Sequence, residues 1–323
     1  LFRRPRCGTF VADVLPGGSA KIESPRCVYV IFSKESLRSR YWSAVLNELE
    51  RQLQERGCWM CFAQQTAERI VSSKVAWFRN CIGVVMCGYN SLEHANEIRR
   101  HNIPIVLIGN LDSGKECSDG LDMVVHNDRE RAMISILHLL DLGHRRIACV
   151  TGPLQSKFAM DQKAGYRDAL EEYGLTAEED NFFDIARLEY ENGIKVGYEI
   201  FCRRNRPTAV FAGNDNVAFG IIDTAKKLGL SVPDEFSIIG CGGLMAGMPP
   251  GTPILTTTRS LPEESARIAV EKLFRQMRSP QIPCSTTVVR VDTICYGETT
   301  RVYRPEPVSL AVSEDSRRLI AVP

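Results

Sequence analysis

A chain of 323 residues exceeds one average domain and holds enough material for two separate cores. Its 44% apolar and 24% charged residues are ordinary for a soluble globular protein, and no run of about 18 apolar residues offers a membrane span. A formal net charge of +1 excludes a global bias toward nucleic acid or membrane, so a role on DNA needs a local basic patch.

Arg3, Arg4 and Arg6 supply such a patch at the start of the chain. No apolar segment follows them, so the N-terminus does not read as a secretion signal. The chain opens without Met and reads as a piece of a longer protein. Residues 12–26 carry Pro, Gly and Ser without periodicity and read as a linker.

From residue 27 one unit recurs: an amphipathic helix, a glycine stop, then a short apolar strand. Trp42, Val45, Leu46, Leu49 and Leu53 recur at helical spacing and end at Gly57, before the strand Cys58–Phe62. Met133, Ile136, Leu137 and Leu140 end at Gly143, before Ile147–Val150. Leu170 and Tyr173 end at Gly174. Ala218, Ile221, Ile222, Ala225 and Leu228 end at Gly229, before Phe236–Ile239. The runs Val28–Phe32, Ile82–Met86, Ile105–Ile108 and Ala209–Ala212 are apolar throughout, as in parallel strands covered by helices on both faces. Pro262 opens a late helix with Glu263 and Glu264 in its first turn and Arg275 and Arg278 near its end, the charge order that suits a helix dipole. Strand and helix alternate too often for one sheet of ordinary width, which predicts two doubly wound α/β lobes with a cleft between them.

Few motifs carry chemistry. Gly240-Cys241-Gly242-Gly243 follows a strand but has Met245 where a dinucleotide loop needs its third glycine. Gly152-Pro153-Leu154-Gln155-Ser156-Lys157 lacks the Gly-Lys pair of a phosphate loop. Cys58 and Cys61 form a Cys-x-x-Cys without two further ligands at matched spacing, and residues three apart on a strand face opposite ways. The twelve cysteines, scattered through apolar runs, read as reduced core thiols in a cytoplasm. Among the five histidines none is paired; His138 reads as structural, and His144 follows a helix stop where a cation is favourable. No catalytic residue, metal site or cofactor is expected. Asn214-Asp215 stands at the carboxyl end of one strand and the start of a helix. Asp215 reads as the N-cap and Asn214 as an amide offered to a ligand. Tyr41 lies off the core stripe of the first helix, where an aromatic ring can stack on a sugar.

The stretches Leu139–Pro153, Ala164–Leu170, Pro207–Ala218 and Val232–Gly240, with Leu255-Thr256-Thr257, closely resemble the lactose-repressor (LacI/GalR) family in order and spacing. Arg3-Arg4-Pro5-Arg6-Cys7-Gly8-Thr9-Phe10-Val11 resembles a different family, the wing of the winged helix in GntR-type regulators. It departs at Arg6, where that pattern has glycine. Together they look like an arabinose-repressor-like chimera lacking the front of its head.

The resemblance implies a periplasmic-binding-protein-like fold with three crossovers. The wing remnant would be 1–11. The first lobe would hold 27–143 and 258–281, the second 144–257 and 282–300, and 301–323 would be a C-terminal extension. It implies a cytoplasmic homodimer that binds operator DNA through Arg3, Arg4, Arg6 and Thr9. A small-molecule effector, a sugar or sugar derivative, would meet Ser33, Tyr41, Asn127, Gln162, Asn214 and Gly242. No membrane partner is implied. Two anchors depart from the family: Gln162 stands where an arginine is usual and Gly242 where an aspartate is usual. Lys157, Asp161 and Asp128 are candidate substitutes, and a changed ligand or a pocket that binds none are the alternatives. A periplasmic sugar-binding protein of a transport system would share the fold and is the rival reading.

Overall fold

The computed structural model describes residues 2–4, 8–10, 26–32, 40–63, 80–88, 90–111, 120–243, 251–291 and 293–304. At the N-terminus β1 (Phe2–Arg4) and β2 (Gly8–Phe10) pair antiparallel, with Arg3 opposite Thr9 and Arg4 opposite Gly8. The linker predicted over 12–26 lies outside the described residues except for Arg26. The remaining elements divide into two units.

The first unit contains β3 (Cys27–Phe32), α1 (Arg40–Gln54), β4 (Trp59–Ala63), β5 (Cys81–Cys87), α2 (Leu92–Arg99), β6 (Ile105–Ile108) and β7 (Asp122–His126). Its sheet runs β13-β7-β6-β5-β3-β4, parallel throughout, and its outer strand β13 (Thr286–Val289) comes from far along the chain. The apolar strand runs are buried on both faces, as their patterning requires. Val28, Val30 and Phe32 pack against Val45, Leu49 and Leu53 of α1 and Ala266, Ala269, Val270 and Leu273 of α7 (Pro262–Arg278). Ile31, Val84, Met86 and Leu107 pack on the other face with Ala95 and Ile98 of α2. Each of the Val, Leu, Ile, Phe and Met side chains among them contributes about 1.5–3 kcal/mol on burial. At the amino end of β7 the carboxylate of Asp122 is fully buried among Lys272, Arg275, Gln276 and Ser285.

The second unit contains α3 (Asp128–Asp141), β8 (Ile147–Thr151), α4 (Lys157–Glu172), β9 (Phe182–Asp184), α5 (Tyr190–Phe201), β10 (Ala209–Ala212), α6 (Asp215–Lys227), β11 (Ser237–Gly242), β12 (Thr256–Arg259) and β14 (Ile294–Cys295). Its sheet order is β14-β12-β11-β10-β8-β9, parallel except for β14, which runs antiparallel to β12. In both sheets the chain reverses its winding direction once, between β3 and β5 and between β8 and β10. The carboxyl ends of strands at such a point are where open α/β sheets place ligands.

The chain passes between units at 127/128, 259/260 and 291/292, with residues 155–157 grouped with the first unit. This corrects the predicted boundaries at 143/144, 257/258 and 281/282. Helix α3 belongs to the second unit because Ala132, Ile136, Leu139 and Leu140 pack on Ile147, Cys149 and Tyr166. Strand β13 belongs to the first because it pairs with β7. The four predicted glycine stops, Gly57, Gly143, Gly174 and Gly229, all take left-handed conformations.

His144 is not the helix-end cation expected from its position. It is buried, its Nε2 donates to the carbonyl of Arg301 at 3.2 Å, and its Nδ1 lies 2.9 Å from the Thr208 hydroxyl. Burial pushes its pKa down to about 4. The unfolded chain, with an ordinary value near 6.5, takes up the proton first. Stability supplied by neutral His144 is therefore present above about pH 6.5 and drains away as pH falls toward 4, on the order of 3 kcal/mol in all. Urea midpoints from pH 7 to 4 are expected to fall more steeply for the native chain than for His144→Gln. Parallel curves would contradict this.

Residues 301–304 continue along the second unit. The Tyr303 amide donates to the carbonyl of Leu142 at 2.7 Å, satisfying a group at the end of α3 that has no helical partner. The rest of the predicted extension, 305–323, lies outside the described residues.

Candidate functional site

In the second unit Ala212 ends β10, and Asn214 then takes extended backbone angles and caps α6. Its Oδ1 accepts from the Val217 amide at 2.9 Å, and its Nδ2 donates to the Leu188 carbonyl at 2.7 Å. The roles expected of Asn214 and Asp215 are thus exchanged. Asn214 is the cap, and it also ties down the loop after β9. Asp215 occupies the first helical position, where the helix dipole favours a carboxylate. Its Oδ1 accepts from the Thr257 hydroxyl at 2.6 Å, which in turn receives the Gly243 amide at 3.2 Å.

The Asp215 carboxylate also lies over Gly240 and Gly242. A Cβ at Gly242 would stand 2.7 Å from Asp215 Oδ2. An acidic group therefore occupies the space beside position 242, supplied by the start of α6 rather than by residue 242 itself.

Gln162 projects from α4 to the same level of the sheet and is fully buried. Its Nε2 donates to the Gly213 carbonyl at 3.0 Å and lies 3.9 Å from Cys241 Sγ. Its Oε1 is buried with no hydrogen-bond partner, 2.8 Å from where a Cβ on Gly213 would sit. A buried acceptor without a donor costs about 1–3 kcal/mol. Beside it, burial pushes the Cys241 thiol pKa up, Arg131 opposes that shift, and Asp128 adds to it. Arg131 and Asp128 form a buried ion pair at 3.1 Å. The structure brings Gln162, Asn214 and Gly242 together around Gly213, Cys241 and Asp215.

In the first unit Tyr41 and Asn127 also sit at the carboxyl ends of strands. The Tyr41 hydroxyl lies 3.2 Å from His126 Nε2, and the two rings meet edge to face at 5.2 Å. Ser265 Oγ stands 3.2 Å from the same nitrogen and donates its proton to the Leu261 carbonyl at 2.9 Å. A hydroxyl has one proton, so toward Ser265 the imidazole Nε2 is the donor. Asn127 Oδ1 accepts from the Val291 amide at 3.2 Å. The sequence reading missed His126 and Ser265. His126 closes a strand that begins with Asp and ends with His, and so lacks an all-apolar signature.

Ser33 and Arg6 lie outside the described residues. Arg3, Arg4 and Thr9 lie in β1 and β2. Among the described residues no cluster of three His, Cys, Asp or Glu side chains is placed to hold a metal, and no helix is long and apolar enough to cross a membrane.

A family model described as a periplasmic binding protein-like domain matches residues 136–300. The HTH-type transcriptional repressor PurR of Vibrio campbellii is 31% identical over 194 residues, 59% of this chain and 57% of that protein. The chain thus spans a little over half the length of this relative. Two solved structures share the fold. A LacI family regulator from Enterococcus faecium with bound ribose has a TM-score of 0.73 at 20% identity, covering 86% of this chain and 100% of that one. CcpA of Lactococcus lactis has a TM-score of 0.74 at 21% identity, with the same coverage.

Proposed function

The chain belongs to the periplasmic-binding-protein-like domain family, and from that premise we propose that it is the effector-binding body of a cytoplasmic transcription repressor. The observation that carries this reading is the likeness to PurR-type repressors, in a chain whose family match includes Gln162, Asn214 and Gly242. The effector is a sugar or sugar derivative, received at the carboxyl ends of the parallel strands by Ser33, Tyr41, Asn127, Gln162, Asn214 and the backbone at Gly242. Gln162 Oε1 accepts from a ligand hydroxyl, and Asp215 supplies the acidic group where the family pattern has an aspartate at 242. Operator DNA is met by a GntR-type winged head that ends in the β1–β2 hairpin, where Arg3, Arg4, Arg6 and Thr9 reach phosphate. The repressor is a homodimer. A groove lined by Leu46, Asn47, Glu50, Met60 and Phe62 beside the edge strand β4, with Trp59 67% exposed, supports a self-complementary apolar interface.

A thermal-shift series with pentoses, hexoses, disaccharides and sugar phosphates tests the effector. A sugar present at about 100 times its Kd stabilises the folded chain by about 2.7 kcal/mol. Asn214→Ala is expected to weaken that sugar at least about tenfold, the equivalent of one lost hydrogen bond to a polar ligand. Silence across the whole series, or an unchanged affinity in the variant, removes the assigned site.

A further inference from the structure

Three loops at the amino end of the second sheet gather arginines that lie far apart in the sequence. Adjacent parallel strands start in register there, Ile147 of β8 beside Ala209 of β10 and Ala209 beside Ser237 of β11. The Thr208 amide donates to the Arg146 carbonyl at 2.9 Å, and the Ser237 amide to the Thr208 carbonyl at 3.1 Å. Residues 301–304 cross the same end, where the Arg301 amide donates to Ser237 Oγ at 3.1 Å and the Tyr303 amide to the Leu142 carbonyl. Apart from His144, every basic residue in 143–146, 202–208 and 301–304 is arginine. The carboxylates beside them are already taken. Asp234 pairs with Arg301, Glu235 lies 3.9 Å from Arg206, and Glu199 lies 3.3 Å from Arg203. Arg145, Arg146, Arg204 and Arg304 are exposed, and among the described residues none of them meets a carboxylate. Arg145 donates to the Leu140 and His144 carbonyls at 2.9 Å each, over the Tyr173 ring, the ordinary role of a cation at a helix end. Arg146 reaches the Arg206 carbonyl at 3.5 Å. Neither a helix end nor an ion pair among the described residues holds Arg146, Arg204 or Arg304.

We propose that this end of the second unit is a DNA-contacting surface, additional to the N-terminal hairpin, that grips the phosphodiester backbone of a duplex without reading its bases. A guanidinium presents a planar fork of donors that matches two phosphate oxygens. Two strand spacings separate the outer loops, roughly 10 Å. Duplex DNA carries a charge about every 1.7 Å along its axis, so several phosphates come within reach at once. An acidic peptide is the weaker fit. Peptides are held by a free strand edge or a groove, and here the amides of Thr208, Ser237, Arg301 and Tyr303 are spent within the unit. Side-chain cations are what the loops have left to offer, and these position a nucleic acid backbone without specifying sequence. The net charge of +1 conceals the patch, because the sequence distributes these arginines among three short runs. The inference stands on the charge and geometry of these loops and not on the winged head.

The test is fluorescence anisotropy of a labelled duplex of arbitrary sequence, titrated with the whole chain between about 50 and 200 mM salt. Four arginines that each neutralise one phosphate contribute about −3.6 to the slope of log K against log salt concentration. Replacing Arg145, Arg146, Arg204 and Arg304 by alanine is expected to remove about that much slope and to weaken binding about tenfold or more at about 50 mM salt, while lysine at the four positions keeps the slope. Arg146→Ala with Arg204→Ala leaves the end of α3 intact and is expected to remove about half as much, so a fold defect in the larger variant does not decide the outcome. Arg3→Ala with Arg4→Ala is expected to lower the slope by its own increment and to leave the effect of the loop variants unchanged, which separates the two surfaces. Thermal unfolding verifies that each variant is folded. An unchanged slope in the folded Arg146→Ala, Arg204→Ala chain, a loss that appears only when Arg3 and Arg4 are intact, or tighter binding of a polyglutamate peptide than of the duplex at the same salt would each overturn the proposal.

Discussion

Replacing Asp122 with alanine is expected to remove about 3–5 kcal/mol from the stability of the first unit, the range for breaking a buried ion pair from one side. The carboxylate is fully buried and accepts from Arg275 Nη2 at 2.6 and 2.7 Å, Gln276 Nε2 at 2.7 Å, the Ser285 amide at 2.9 Å and Lys272 Nζ at 3.2 Å. Burial alone would raise its pKa. The bonds from Gln276, Ser285 and Arg275, with the Lys272 charge, outweigh burial and hold it below the ordinary carboxylate range. Arg275 is 29% exposed and can turn toward water, but Lys272 is 7% exposed and cannot. Most of the loss therefore comes from the Lys272 ammonium, which keeps its bonds to the Ser285 carbonyl at 2.7 Å and hydroxyl at 2.8 Å but loses its counter-charge in the core. Because the folded pKa is depressed, the contribution of Asp122 is complete above its unfolded value near 3.9 and disappears as pH falls through the folded value. Equilibrium urea unfolding of Asp122→Ala and Asp122→Asn at pH 7 checks this. Asparagine is expected to lose less, since its single oxygen still accepts from the Ser285 amide, although its NH2 then faces the Gln276 Nε2 donor. A loss below about 1 kcal/mol for alanine would place the pair among those that contribute nothing measurable.

Gly220→Val is the second large effect, expected at about 3 kcal/mol or more, the upper end for overpacking a core. Helices α5 and α6 approach through glycine: a Cβ at Gly220 would meet the Tyr190 carbonyl and stand 2.8 Å from the Ile194 amide. From the other helix, a Cβ at Gly193 would stand 2.5 Å from the Val217 carbonyl. Every atom in the way is backbone, so no rotamer change relieves the contact and the helices must separate. Gly174→Ala is the control. Nothing lies within 4 Å of its Cβ position, and only the left-handed backbone, φ +65°, opposes the substitution. Its cost is expected near 1 kcal/mol. Thermal unfolding of both variants separates steric from conformational cost. Equal losses would contradict the assignment of the larger effect to close helix packing.

The strands were legible because a parallel strand covered on both faces has to be apolar throughout, and Ile105–Ile108 and Ala209–Ala212 match their predicted limits. The glycine stops were legible because a left-handed residue leaves few other choices. Which sheet an amphipathic helix covers was not legible. The stripe of α3 suits either sheet, and only the packing of Ile136 and Leu139 with Ile147 and Cys149 assigns it to the second unit. The candidate site divides the same way. Asn214 fell at a strand end, where spacing could point to it, whereas Gln162, inside α4, and Gly242 were reached only through the family resemblance. Asn214 and Asp215 exchanged roles because both are good caps, and the Thr257 hydroxyl that draws Asp215 inward lies 42 positions away. His126, Tyr41 and Ser265 meet only through the fold, since 85 and 139 positions separate them from one another.

The placement of β13 and β14 has a consequence for synthesis. Both sheets take an outer strand from the last fifth of the described chain, β13 beside β7 and β14 beside β12. A ribosome delivers β7 long before residues 286–289 exist, so the nascent first unit waits with an open strand edge and without α7 while the second unit is made. Neither sheet can close until almost the whole chain has emerged. Such non-local closure slows folding and exposes an edge to wrong partners. Nascent chains ending near residue 260 are the ones that should need a chaperone most.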